Sequence, residues 1–188
     1  VSHFIAPSGT LSENKTLTSA NSPYLIIGPS STGLTVQSGV TLTIPSGVVV
    51  KIASDNEPWI RVAGTIVANG TAASPVVFTS FYDDTYGGDT NGDGSNTSPQ
   101  AGSWRRLFVD TTSTGSSFTH TLVRYGGNNN LSDDAGKKGA IGVSGATVSF
   151  SNLMVEQSGA HGLALENSNS TVSNSRFSTS TSADYQAA

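Results

Sequence analysis

Val40-Thr41-Leu42-Thr43-Ile44-Pro45-Ser46-Gly47-Val48-Val49-Val50-Lys51-Ile52 is the stretch on which the fold is decided. It holds two β-type runs separated by a Pro-Ser-Gly turn. Leu42 and Ile44 alternate with Thr41 and Thr43, the period-two pattern of a strand with one buried face. Paired hairpin strands would be longer and joined by two-residue Asn-Gly or Asp-Gly turns. Here the runs are three to six residues long and similar runs return along the chain. Val48–Val50 is answered by Val76–Phe78, 28 residues on, and Val36 and Val62 head similar glycine turns 26 apart. Near the end, Thr147-Val148-Ser149 returns as Thr171-Val172-Ser173, a step of 24, and Ser151-Asn152-Leu153 is loosely echoed by Asn174-Ser175-Arg176-Phe177.

A repeat of 20-odd residues carrying about three short strands is the pattern of a parallel β-solenoid. One coil cannot bury its inner face alone, so the core comes from stacking. Asn and Ser at equivalent turns are expected to stack as hydrogen-bonded ladders. The competing architecture is an antiparallel sandwich, which also has many short strands but does not repeat its sequence. The expectation is therefore an all-β, right-handed parallel β-helix. Residues 1–20 are expected as an N-terminal extended segment or edge strand, and 21–188 as the β-helix, with loop insertions at about 81–103 and 126–139.

Composition agrees and removes other classes. The 188 residues include only 12% charged and 35% hydrophobic side chains, 21 Gly, one Met and no Cys. Strong helix formers are too scarce for bundles or coiled coils. A net charge of −4, with nine basic residues spread thinly, is not the footprint of a nucleic-acid binder. No apolar run is long enough to span a bilayer. Without Cys there are neither disulfides nor thiolate metal sites. The start at Val1, with no signal-peptide pattern ahead of it, is expected of a mature or excised chain.

Several segments carry a resemblance. Asn21–Ile26, Gly39–Lys51, Val62-Ala63-Gly64-Thr65, Ala68–Ser80, Gly87–Gly94 and Val123-Arg124-Tyr125-Gly126-Gly127 resemble a family of bacterial extracellular right-handed parallel β-helix proteins. The likeness covers about residues 10–127; the last third resembles only the generic pectate-lyase-like repeat. It implies a secreted or cell-surface location and a scaffold role, in a family poor in known activities. One departure is Trp104-Arg105-Arg106, where members usually carry Trp-Gly-Gly. Two arginines there are expected to change the outer surface of that coil.

The chemistry concentrates in the long loop after Ser80. Asp89, Asn91 and Asp93 followed by Gly94 reproduce the first half of an EF-hand-type Ca²⁺ loop, with oxygen ligands at alternating positions and Gly at the sharp turn. The twelfth position is Gln100 rather than Glu, and helices are not expected on either side, so an EF-hand proper is not expected. Asp83 and Asp84 are expected to supply the missing carboxylates and Ser95 a backbone carbonyl. Four carboxylates in so short a window, with no Lys or Arg inside it, repel one another without a cation. The plainer alternative is a solvated acidic loop. Ca²⁺ is the expected cofactor, in a structural role. The second loop has Asp133 and Asp134 beside Lys137 and Lys138, so internal neutralisation explains it without a metal.

Three roles remain. A polysaccharide lyase needs a cation and a base on one face, and Arg105, Arg106 and Arg124 are the arginines near the acidic loop, none in a motif that names a base. His3, His120 and His161 have no partner motif, and His120 is expected to point outward from a strand. A carbohydrate-binding module would present Tyr82, Tyr86, Trp104, Arg105 and Arg106 to surface glycans, with Trp59 and Tyr125 as further aromatics; for Trp59 and Trp104 the favoured reading is that they cap coil edges against the core, since each begins a strand. A structural role would use open solenoid ends for head-to-tail self-association into a filament. The expected function is a non-catalytic, calcium-stabilised extracellular scaffold, filament subunit or adhesin module, with a carbohydrate-binding or lyase-like protein as the alternative.

Overall fold

The computed structural model describes residues 3–4, 9–27, 33–53, 58–128, 139–178 and 185–187. The chain winds through three parallel ladders in turn. The first stacks β1 (His3–Phe4), β4 (Tyr24–Ile26), β7 (Val49–Ile52), β10 (Val76–Ser80), the second halves of β12 (Ser117–Arg124) and β14 (Ser149–Glu156), and β17 (Arg176–Ser178). The second stacks β2 (Thr10–Leu11), β5 (Leu34–Val36), β8 (Ile60–Val62), β11 (Leu107–Val109), β13 (Gly139–Ser144), β15 (His161–Glu166) and β18 (Tyr185–Ala187). The third stacks β3 (Lys15–Thr16), β6 (Thr41–Pro45), β9 (Thr65–Asn69), the first halves of β12 and β14, and β16 (Thr171–Ser173). Every pairing is parallel, and the one helical element among the described residues is a 3₁₀ turn at Ser19–Asn21. The chain is a parallel β-helix.

Each coil sends one set of alternate side chains inward, and these form columns. Ile44, Ala68, Phe118 and Phe150 are buried in one column, with the rings of Phe118 and Phe150 stacked at 5.3 Å. Tyr24, Val50, Phe78, Val123 and Val155 make another. The registers of Val36 on Val62 and of Val49 on Val77 are those expected from the 26- and 28-residue steps. The C-terminal step differs. Ser149 pairs with Thr171 and Phe150 with Val172, a spacing of 22 rather than 24. A two-residue slip leaves every side chain on its own face, so alternation alone could not separate the two registers. The 22-residue step is the one that continues the Phe column.

Single left-handed residues let the chain turn, within β12 and β14 and between β16 and β17. His120, Asn152 and Asn174 occupy one corner column, with φ of 43°, 53° and 48°. Asn tolerates this conformation better than most residues. His120 lies within β12 and is partly exposed, and its left-handed φ places it at the corner of that strand. Close stacking explains Gly64 in the same terms: a Cβ there would lie 2.1 Å from the Gln37 carbonyl oxygen.

The corners are tied between coils by Ser and Asn acceptors that take turn amides. Val148 N–H donates to Ser170 Oγ (2.9 Å), Leu153 N–H to Ser175 Oγ (3.1 Å), Ile66 N–H to Ser116 Oγ (3.0 Å) and Thr41 N–H to Asn14 Oδ1 (2.8 Å). These bonds satisfy amides that the ladders leave over at the turns. Ser170→Ala is expected to lower stability by about 1 kcal/mol, measured by thermal melting; an unchanged melt would show that water replaces the hydroxyl without loss.

The short strands β1, β2 and β3 form the outermost described rung of the three ladders, in register with β4, β5 and β6. The expected insertion at 81–103 leaves between β10 and β11. Of the second insertion, Gly126–Asn128 and Gly139 are described; Asp133, Asp134, Lys137 and Lys138 lie outside the described residues.

Candidate metal centre

The outward row of the first ladder reads Leu25, Lys51, Thr79, then Arg124 and Glu156, set by the registers of β4, β7, β10, β12 and β14. Outward side chains on a solenoid are normally wet, yet Lys51 and Thr79 are 0% exposed. The 81–103 loop closes over them. Lys51 Nζ donates to the Gly88 carbonyl, and a Cβ at Gly87 (φ 74°) would come within 3.3 Å of the Lys51 side chain. Burial pulls the Lys51 pKa below its ordinary value, while the carboxylates of Asp84, Asp83 and Asp89 act in the opposite sense.

The loop begins on a fixed base. Asp83 is buried, and its carboxylate accepts from Thr79 Oγ1 (2.5 Å), from the Thr85 amide (3.1 Å) and from Arg124 Nη1 (3.1 Å). Arg124 also approaches Glu156, with Nε 3.5 Å from a carboxylate oxygen, and lies over the rings of Tyr125 (4.8 Å) and Tyr86 (5.4 Å). Its Nη2 donates to the Tyr125 hydroxyl. Burial is the main cause that raises the Tyr125 pKa, and the Arg124 charge opposes it.

Beyond this base the chain folds into a tight turn. Asp89 Oδ1 accepts from the amides of Gly92 (2.7 Å) and Asp93 (3.2 Å), and Oδ2 from Gly94 (2.9 Å). Gly92 and Gly94 take φ of 74° and 77°, which explains glycine at both positions. These amides, that of Gly94 foremost, hold the Asp89 carboxyl below its usual pKa, against a smaller opposing effect of burial. Asp93 accepts from Asn96 N–H and Thr97 Oγ1, and Asn91 donates from Nδ2 to Thr97 Oγ1. Carboxylate oxygens of Asp84, Asp89 and Asp93 all lie within 4.8 Å of one another. Each such pair repels by about 1 kcal/mol in water and about 3 kcal/mol at an effective dielectric of 20.

Two oxygens decide whether a cation fits. Asp84 Oδ1 and Asn91 Oδ1 are buried and have no hydrogen-bond partner in the protein. Buried acceptors normally find a donor, and hard oxygens on a tight turn suit Ca²⁺. The side chains that could hold a Ca²⁺ ion are those of Asp84, Asp89, Asn91 and Asp93; Ser95, at the next alternating position, is exposed. Asp83 does not join the cluster, because Arg124 and Thr79 hold its carboxylate on the ladder.

Of the other sequence candidates, Trp104 sits in the core as its core-edge reading expects, whereas Arg105 and Arg106 are placed differently from expectation. Trp104 is fully buried and donates from Nε1 to the Arg124 carbonyl (2.8 Å). Arg105 and Arg106 are also buried, and Arg105 lies 4.7 Å from the Trp59 ring, which stacks on Phe108. They therefore do not redecorate the outer surface of the coil or offer it a glycan platform. Tyr86 is taken up by Arg124, and Tyr82 packs against Phe81 at 6.1 Å. Sequence reading missed Lys51, because it counted charge only inside the loop. The signal available was a lysine in an apolar run that stacks 28 residues before Thr79.

Coils of parallel strands around a continuous core, with one acidic loop clamped to an outer face, define a β-helix solenoid protein. Residues 9–137 match the family described as the pectate-lyase like beta helix domain, and the chain belongs to that family. Neither a curated protein nor a solved structure shows a significant match to the chain. Among the described residues no helix is long and apolar enough to cross a membrane.

Proposed function

We propose that this chain is a non-catalytic, calcium-stabilised β-helix module of a secreted or cell-surface protein, serving as a scaffold or adhesin. The observation that carries it is the pair of partnerless buried oxygens, Asn91 Oδ1 in the Asp-x-Asn-x-Asp-Gly turn and Asp84 Oδ1 at the base of the loop. An ion there ties the turn to Asp84 at the base of the loop, and the base is held by Lys51 and Arg124. Its role is to keep a long insertion folded against the first ladder; loops of this length rarely hold a single conformation unaided.

The lyase-like alternative needs a base free to take a proton beside the cation. Arg124 is on the right face, but its charge is committed to Asp83, Glu156 and two aromatic rings. Appearance of unsaturated products from an acidic polysaccharide with Ca²⁺ present would overturn the non-catalytic reading. Self-association is the narrower part of the proposal. Among the described residues, outer strands β3 and β16 each pair on one side only within their ladder, and filaments by negative-stain microscopy would support assembly through these ends. Dispersed particles with and without chelator would remove it.

Calcium titration by calorimetry is expected to give a saturable site that Asp89→Ala with Asp93→Ala abolishes. At about a hundred times Kd, binding stabilises by about 2.7 kcal/mol. That raises Tm by roughly 5–10 °C over the value in chelator. Absence of heat at millimolar Ca²⁺ would sink the centre.

A further inference from the structure

We infer that Lys51 is a built-in cation of the metal centre, which limits it to one divalent ion and sets its preference for ionic charge. The inference rests on the calcium reading above and deepens it. Lys51 is 0% exposed on the outward row of the first ladder, and its ammonium is delivered to the Gly88 carbonyl, immediately before the ligand Asp89. The carboxylates of Asp84, Asp83 and Asp89 all act on it. A fully covered lysine is rare unless paired, and this one is brought into the acidic loop from a strand 37 residues away.

The charges then balance in a definite way. Asp83 forms its ion pair with Arg124, which leaves Asp84, Asp89 and Asp93 as the cluster of three carboxylates. Glu156 reaches Arg124 only at 3.5 Å and is 31% exposed, so solvent carries much of its charge. Three negative charges less the one positive charge of Lys51 leave two. A single divalent ion neutralises that remainder. A second divalent ion would overcharge the site, and a trivalent ion would leave a net positive charge beside a buried ammonium.

The same geometry makes Lys51 a positioning residue. Its bond to Gly88 fixes the backbone from which Asp89 projects, and Gly87 leaves only enough room for the lysine stem to pass. A purely structural lysine and a charge-setting one therefore predict different results. Loss of support weakens all ions alike. Loss of a positive charge favours the more highly charged ion.

The test compares Ca²⁺ with Tb³⁺, an ion of similar size and higher charge, by calorimetry and by sensitised luminescence on the whole chain. Wild type is expected to take up one ion. Lys51→Met is expected to raise the ratio of Tb³⁺ to Ca²⁺ affinity at least about tenfold, and Lys51→Arg, which keeps the charge, to leave it within about twofold. An unchanged ratio in Lys51→Met, with both affinities reduced together, would overturn the charge-setting role while leaving the centre intact. Two Ca²⁺ ions per wild-type chain would overturn the charge balance without any variant, so the inference stays testable even if Lys51→Met does not fold. No ion of either kind on wild type would instead remove the calcium reading on which this rests.

Discussion

Arg124→Ala is expected to destabilise the chain by about 3–5 kcal/mol, measured in chelator so that metal binding plays no part. The reason lies with the partner left behind. The Asp83 side chain is 2% exposed and takes its charge compensation from Arg124 at 3.1 Å. Without the guanidinium, a buried carboxylate keeps only the Thr79 hydroxyl and the Thr85 amide as donors. The rings of Tyr86 and Tyr125 lose their cation at the same time. Adding Asp83→Asn to the variant removes the stranded charge and is expected to restore at least half of the loss, a coupling that a double-mutant cycle reads directly. A loss under about 1 kcal/mol for Arg124→Ala would mean that the pair is effectively solvated and does not anchor the loop.

Phe150→Ala is the second large effect, again about 3–5 kcal/mol, from lost burial and the cavity left behind. Phe150 stacks on Phe118, with ring planes 16° apart, in the interior column of the third ladder. Neighbours above and below belong to other coils, so the backbone cannot collapse into the gap without breaking ladder bonds. Val172 occupies the next place in that column, yet it is 37% exposed. Val172→Ala is accordingly expected to cost no more than about 1 kcal/mol. The contrast tests the 22-residue register itself, since it is this register that sets Val172 over Phe150. Equal effects at the two positions would argue that Val172 is covered and that the column continues beyond it.

The sequence was most legible where physics is local and repeated. Alternation in 40–52, its return at 26 and 28 residues, and the scarcity of helix formers determined a parallel solenoid. The Asp-x-Asn-x-Asp-Gly pattern likewise marked the turn around Asp89, because the bonds that shape it run between neighbours. Even the repeat was ambiguous by two residues at Thr171, where alternation is blind to an even slip and only the fit of side chains in the core column decides.

Tertiary structure alone decided which charges meet. Asp83 and Asp84 are adjacent in the chain and chemically identical, yet one faces Arg124 and the other joins the carboxylate cluster with Asp89 and Asp93. Lys51 and Arg124 lie far from Asp84 in sequence and reach the loop only because stacked coils bring the first ladder beneath it. Arg105 and Arg106, expected at the outer surface from their polarity and position, are buried by the same stacking. Local patterns record the path of the backbone and the bonds it makes with itself. Charge balance and burial depend on what lies one coil away, at a distance that the repeat length sets but no single segment encodes.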